Sequence, residues 1–284
     1  MQSIVFASVS AIAFASYHVF ARVYSVHTKD ARAYSILWGG LCALILLPFI
    51  PFFIGDWRLE DVPRHLAVAM LMASCFYALY DRTQFAVRKY LEASEAALLS
   101  QISPVASLLM LWVFLGEQPT SSKILAAAII ITGNGVVMMP NGVHRVTFRR
   151  GTLLGVFSFG SLGIALAIDK LGSSGFPVPL YAALIYGLPA LLNITVPPLS
   201  WRTLKNEARG TLGKIFVLAA LNVIGTLGFL LAFRTEEGGK VLLIVSTAAL
   251  LSVLMGVVLL REHDHLFRKL VASILVGVGI WLLV

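Results

Sequence analysis

The residues with the most chemical potential stand at Tyr77, Tyr80, Asp81, Gln84 and Arg88. They fall at i, i+3, i+4, i+7 and i+11, a spacing that places all five on one face of a helix. Hydroxyls, a carboxylate, an amide and a guanidinium on one face can hold a charged or hydrogen-bonding solute, or pass a proton. The surrounding run, near 66–87, is mostly apolar apart from Ser74, Arg82 and Thr83, and is of membrane-spanning length. A charged group in hydrocarbon costs about 2.5–3.5 kcal/mol on insertion scales, so this face is expected to meet other helices or water and not lipid. In the functional reading Asp81 is a counter-ion or proton site and Arg88 anchors an anionic group. In the structural reading Asp81 pairs with a basic residue and Arg88 reaches up to the membrane interface. His18 shares a face with Arg22, four positions on. It is the second candidate for proton coupling, because imidazole changes charge near neutral pH; its plainer role is a packing residue with a hydrogen bond.

Composition says what kind of element positions these groups. The chain has 284 residues, of which 58% are hydrophobic and 13% charged, and a mean hydropathy of +0.88. A soluble domain carries about 25% charge and about 45–50% apolar residues, which excludes a water-soluble enzyme. Apolar runs fall near 2–21, 33–54, 66–87, 93–115, 122–140, 151–169, 177–199, 213–233, 240–260 and 267–284. At roughly 20 residues per span these make an all-α polytopic membrane protein of about ten transmembrane helices. The links are short and polar, as at Asn141 to Arg150 and Trp201 to Lys214.

The chain repeats itself. Glu117 and Glu262 stand 145 positions apart, as do Gln101 and Ser246, while Ser35–Gly39 resembles Ala183–Gly187 at an offset of 148. The sequence therefore divides into a first five-helix repeat over 1–140, a linker loop at 141–150 and a second repeat over 151–284. An odd number of spans per half makes the repeats inverted, which is the architecture of alternating-access transporters with a site at the membrane midplane. In the fourth run Gln101 lies near Pro104, whose missing N–H would free a carbonyl and make a hinge. Its counterpart in the ninth run offers Ser246 and Thr247, and in the eighth run Asn222 and Thr226 answer the polar face of the third. The expected substrate-binding set is thus Tyr77, Tyr80, Asp81, Gln84, Arg88, Gln101, Asn222 and Ser246.

Other features have blander explanations. A net charge of +8 comes from Lys and Arg scattered through nearly every loop, which suits topology and lipid headgroups and gives no nucleic-acid patch. Their bias between alternate loops puts both termini away from the cytoplasm. Cys42 and Cys75 lie in apolar runs and build neither a disulfide framework nor a metal set. His263-Asp264-His265 lacks a third ligand at a defined spacing. Glu117 and Glu262 sit at helix ends, and no phosphate-binding lysine loop is present. No cofactor is expected.

Leu98-Leu-Ser-Gln-Ile-Ser-Pro104, then Leu115-Gly-Glu117-Gln-Pro-Thr120 and Gly133-Asn-Gly135, resemble the EamA domain of the drug/metabolite transporter superfamily. A second copy, Val241 to Val284, keeps Glu262 and Gly277-Val-Gly279 but has Ala249 in place of the proline. The resemblance implies ten helices, a monomer and export of small metabolites, often amino acids or their analogues. Trp38 stands where an arginine is common in that family, and Ser16-Tyr-His18 replaces its usual first-helix pattern. The expectation is a multi-pass transporter of the plasma (bacterial inner) membrane, not an enzyme, moving a small polar or amphipathic metabolite by alternating access. Membrane lipids and coupling protons are its other expected partners. The rival readings are a membrane-embedded lipid-modifying enzyme and a non-transporting assembly subunit.

Overall fold

A computed structural model describes residues 2–91, 95–96, 99–115, 120–138, 150–235, 238–261 and 266–283. Among the described residues every element is helical. In order they are α1 (Gln2–Ser25), α2 (Ala31–Leu46), the short α3 (Ile50–Ile54), α4 (Arg64–Tyr90), α5 (Ile102–Leu115), α6 (Ser121–Met138), α7 (Arg150–Gly172), α8 (Val178–Thr195), the short α9 (Trp201–Ala208), α10 (Leu212–Thr235), α11 (Gly238–Leu259) and α12 (Leu266–Leu283). Among the described residues five segments are long and apolar enough to cross a membrane: Ile4–Ser25, Ala31–Ile54, Arg150–Asp169, Val178–Thr195 and Leu212–Ala232. Helix α4 has 27 residues but falls outside that set, because Asp81, Arg82 and the basic residues at its ends dilute its apolar content. Large apolar side chains stay exposed on the outer faces, among them Ile12, Leu44, Val113 and Trp281. In water that would be an aggregation hazard, whereas lipid solvates it. The chain is a helical multi-pass membrane protein.

Local chemistry sets the helix ends. The apolar run at 33–54 is interrupted at Pro48 and Pro51, giving a single 3-10 turn over Leu47–Phe49 before α3. Asp30 caps α2, its Oδ1 accepting from the backbone N–H of Arg32 and Ala33 at 2.9 Å. The polar stretch after 200 is not all loop. Ser200 caps Thr203 N there, and Leu204 is buried beside Ala33 and Ile36 of α2, which makes α9 a helix. Glu207, at the far end of α9 and only 2% exposed, accepts from Lys29 N at 3.1 Å and Asp30 N at 2.9 Å. Glu207→Ala strands both donors and is expected to lower stability by about 1–2 kcal/mol, seen as a lower midpoint of thermal unfolding in detergent; Glu207→Gln, which keeps one acceptor oxygen, loses less.

Helix α1 packs along α10 and α11, and α7 packs along α4 and α5. Helix α2 packs along α8, α4 and α10, and α6 lies along α12. Two crossings carry equivalent bonds. Ser107 Oγ on α5 donates to Gly163 O on α7 at 2.7 Å, and Ser252 Oγ on α11 reaches Ala15 O on α1 at 3.5 Å. Ser252 lies 145 positions after Ser107 and Gly163 lies 148 after Ala15, the offsets already seen in the sequence. At the α5–α7 crossing a Cβ on Gly163 would run into Ser103 O and stand 2.6 Å from Ala106 Cβ. Only glycine lets these backbones approach so closely. The interior between α1, α2, α4, α8 and α10 is filled by a cluster around Trp38 that includes Tyr17, Phe85, Leu218 and Val223.

Candidate functional site

Helix α4 turns its polar face inward, with Asp81, Gln84 and Arg88 at most 4% exposed. Gln84 is the hub. Its Nε2 donates to Asp81 Oδ1 at 2.7 Å, and its Oε1 accepts from Tyr17 Oη at 2.8 Å and from Arg88 Nη1 at 3.0 Å. These partners fix which way the amide points, since a flipped amide would set its NH2 against the donor-only Arg88 guanidinium and its oxygen against the Asp81 carboxylate. Arg88 Nη1 also donates to Gln84 O at 3.2 Å, and Nη2 reaches His18 Nδ1 at 3.2 Å and Tyr80 Oη at 3.5 Å. A guanidinium only donates, so His18 Nδ1 is an acceptor and the ring carries its proton on Nε2. The Tyr17 ring lies 5.1 Å and the Phe85 ring 5.8 Å from the Arg88 guanidinium carbon, within range of a cation–π attraction. The Arg88 side chain, in the last turn of α4, is 1% exposed and held within the bundle.

Arg22, one turn beyond His18 on α1, donates to Arg88 O at 2.6 Å and Lys89 O at 2.8 Å. A cation satisfying the last carbonyls of a helix is favoured by hydrogen bonding and by the helix dipole. Lys89 Nζ returns a bond to Thr28 O at 3.1 Å. Arg82, on the opposite side of α4 from Gln84, donates to Val196 O at 2.9 Å.

Tyr77 shares the face but not the cluster. Its hydroxyl, with that of Tyr181 on α8, donates to the carboxylate of Asp169 on α7. Beyond lie the tilted rings of Phe176 and Trp57, their centroids 5.8 Å apart, and Trp57 Nε1 donates to Gly175 O at 2.8 Å. On the second half, Asn222 Nδ2 donates to Tyr186 Oη at 2.6 Å, and Tyr186 Oη shares a 2.7 Å hydrogen bond with Thr226 Oγ1. Trp38 links the two sides: its ring is 5.7 Å from those of Tyr17 and Phe85 and 5.6 Å from that of Tyr186. Trp38 and Tyr186 are themselves 148 positions apart.

Two expected members stand apart. Gln101, 7% exposed, lies at the mouth of α5 with Nε2 3.4 Å from Ser100 Oγ; among the described residues no hydrogen bond joins it to the α4 cluster. Pro104 is the third residue of α5, a first-turn position whose N–H has no partner within the helix in any case. The side chains of Pro104 and Ser246 lie outside the described residues, as do Glu117, Glu262 and the His263–His265 stretch. Among the described residues no group of three metal-ligating side chains occurs. Sequence reasoning missed Tyr17, Asp169, Tyr181 and Tyr186. Asp169 closes the apolar run at 151–169, and a carboxylate at the edge of an apolar run is a signal in itself. Tyr186 was visible as the repeat partner of Trp38.

The α4 face is a buried polar cluster inside a multi-pass helical bundle, and comparison with known proteins says which family the chain resembles. One solved crystal structure superposes on 100% of this chain and 97% of its own with a TM-score of 0.60; at 13% identity this shows a shared fold alone. Protein PecM of Dickeya dadantii (strain 3937) is 37% identical over 112 residues, which are 37% of this chain and 34% of that protein. The match thus spans about a third of the curated relative. Residues 1–139 match the EamA-like transporter family. The first half of the chain, residues 1–139, thus carries a domain of the EamA-like transporter type.

Proposed function

We propose that this chain is a secondary transporter of the plasma membrane that exports a small polar or amphipathic metabolite, such as an amino acid or analogue, by alternating access. It works as a monomer of ten spans in two inverted repeats, 1–140 and 151–284, joined by 141–150. The observation that carries the reading is the α4 face itself: Asp81, Gln84 and Arg88 are buried against α1 inside the bundle, an expensive arrangement in a membrane unless it serves a solute path. Support for the repeats comes from the packing. Exchanging the halves turns the α4–α7 pair into α10–α1, α5–α7 into α11–α1 and α4–α8 into α10–α2, all of which pack together. The serine bonds Ser107–Gly163 and Ser252–Ala15 obey the same exchange.

In this reading Tyr80, Asp81, Gln84 and Arg88 bind substrate from one side and Asn222 from the other, with Tyr77, Gln101 and Ser246 reached as the halves rock. Asp81 or His18 carries the coupling proton, and Pro104 relieves the start of α5 as it tilts. The test is depletion of a metabolite mixture from proteoliposomes, read by mass spectrometry with and without a pH gradient. Asp81→Asn and Gln84→Ala are each expected to slow loss of the transported solute at least tenfold, a change of about 1.4 kcal/mol in the barrier, while folded protein stays abundant. Normal transport by both variants would remove the α4 face from the solute path.

A further inference from the structure

We infer that the Arg88 end of this face recognises a carboxylate, so that the transported solute is an organic acid with an apolar or aromatic body. The inference rests on the transport reading above and adds the class of substrate. Arg88 is 1% exposed, and every hydrogen bond it makes goes to a neutral group: the Gln84 backbone and amide oxygens, His18 Nδ1 and Tyr80 Oη. Asp81 does not neutralise it directly, because Gln84 stands between them and bonds both. A buried guanidinium held only by neutral partners gains most from an anion brought to it.

The count of donors points the same way. Arg88 Nε is buried without a partner, and so is Nε1 of Trp38, which is 2% exposed. Both belong to one ring of aromatic side chains, since Tyr17 and Phe85 flank the guanidinium and the Trp38 indole packs against both. The cage therefore has N–H donors to spare, which a ligand rich in acceptor oxygens satisfies and an amine does not. A guanidinium fork fits the two oxygens of a carboxylate, and the rings supply an apolar wall for the rest of the molecule.

The test compares phenylacetate, phenylacetamide and phenethylamine on the full-length protein, by thermal shift in detergent and by loss from loaded proteoliposomes. Phenylacetate is expected to stabilise the protein and to leave the vesicles, with the amide and the amine at least tenfold weaker in both measurements. Arg88→Gln abolishes the preference, Arg88→Lys keeps part of it, and Trp38→Phe, which retains the ring and loses the N–H, weakens phenylacetate several-fold. Transport or binding of the amine in preference to the acid would overturn the carboxylate assignment and leave transport standing. Acid-selective binding lost in Arg88→Gln but without transport would uphold the carboxylate site and overturn the transport reading. Failure of phenylacetate in both measurements, with folding verified, would overturn the assignment.

Discussion

Replacing Tyr77 and Tyr181 together by phenylalanine is expected to destabilise the folded protein by about 2–4 kcal/mol, and to do more harm than Asp169→Asn. The two hydroxyls donate to opposite oxygens of the Asp169 carboxylate, and Phe176, Trp57 and the α4–α7 interface surround them with apolar surface. The double replacement leaves a carboxylate in that setting with no donor. Asparagine in place of Asp169 removes the charge and still accepts one hydroxyl, so its loss is smaller. Either single tyrosine change keeps one donor and falls in between. Thermal unfolding of the four proteins in one detergent ranks them; if Asp169→Asn proves the most damaging, the hydroxyls are not what holds the carboxylate.

Gly163→Ala is expected to cost about 1–3 kcal/mol, at the upper end of what overpacking by one methyl exacts, and Gly163→Val to prevent accumulation of folded protein. The added Cβ collides with the Ser103 carbonyl oxygen and with Ala106, and a backbone atom cannot rotate away as a side chain would. By contrast Ser107→Ala, which removes only the hydroxyl bond across the same crossing, is expected to cost about 0.6 kcal/mol. The repeat-related position is Ala15 on α1, where a methyl is already accommodated. The two crossings are thus related in path but not in spacing. The fraction of monodisperse protein after extraction, and its unfolding midpoint, separate the three variants. Equal behaviour of Gly163→Ala and Ser107→Ala would show that α5 and α7 can part at little cost.

What was legible in the sequence was whatever periodicity and charge write directly. The helical offsets of Tyr80, Asp81, Gln84 and Arg88 predicted one buried face, and the structure gathers those four with His18, also picked out beforehand. Tyr17 was not legible, because an aromatic residue beside a histidine carries no helical signature of its own. Tyr77 obeyed the spacing yet went to another partner: one turn back along α4 the neighbours are Asp169 on α7 and Tyr181 on α8, and helical offsets say nothing about what lies opposite. Asp169 escaped for the same reason, its role being defined by two tyrosines 92 and 12 positions away. Helix α9 was read as loop because its eight residues include only a few apolar positions, while its capping serine and the buried Leu204 show their meaning only against α2. The offsets of 145 and 148 also separate the members of two serine bonds, Ser107–Gly163 and Ser252–Ala15.

The polar face of α4 also bears on how the protein is made. Insertion machinery sorts segments by apolarity as they emerge, and a helix carrying an aspartate and several arginines enters the bilayer poorly unaided. Its neighbours α1 and α2 precede it off the ribosome and offer Tyr17, His18 and Arg22 as early partners. The surface it covers most extensively belongs to α7, which is synthesised only some sixty residues after α4 ends. Until then only α1 and α2 among its packing partners are in place.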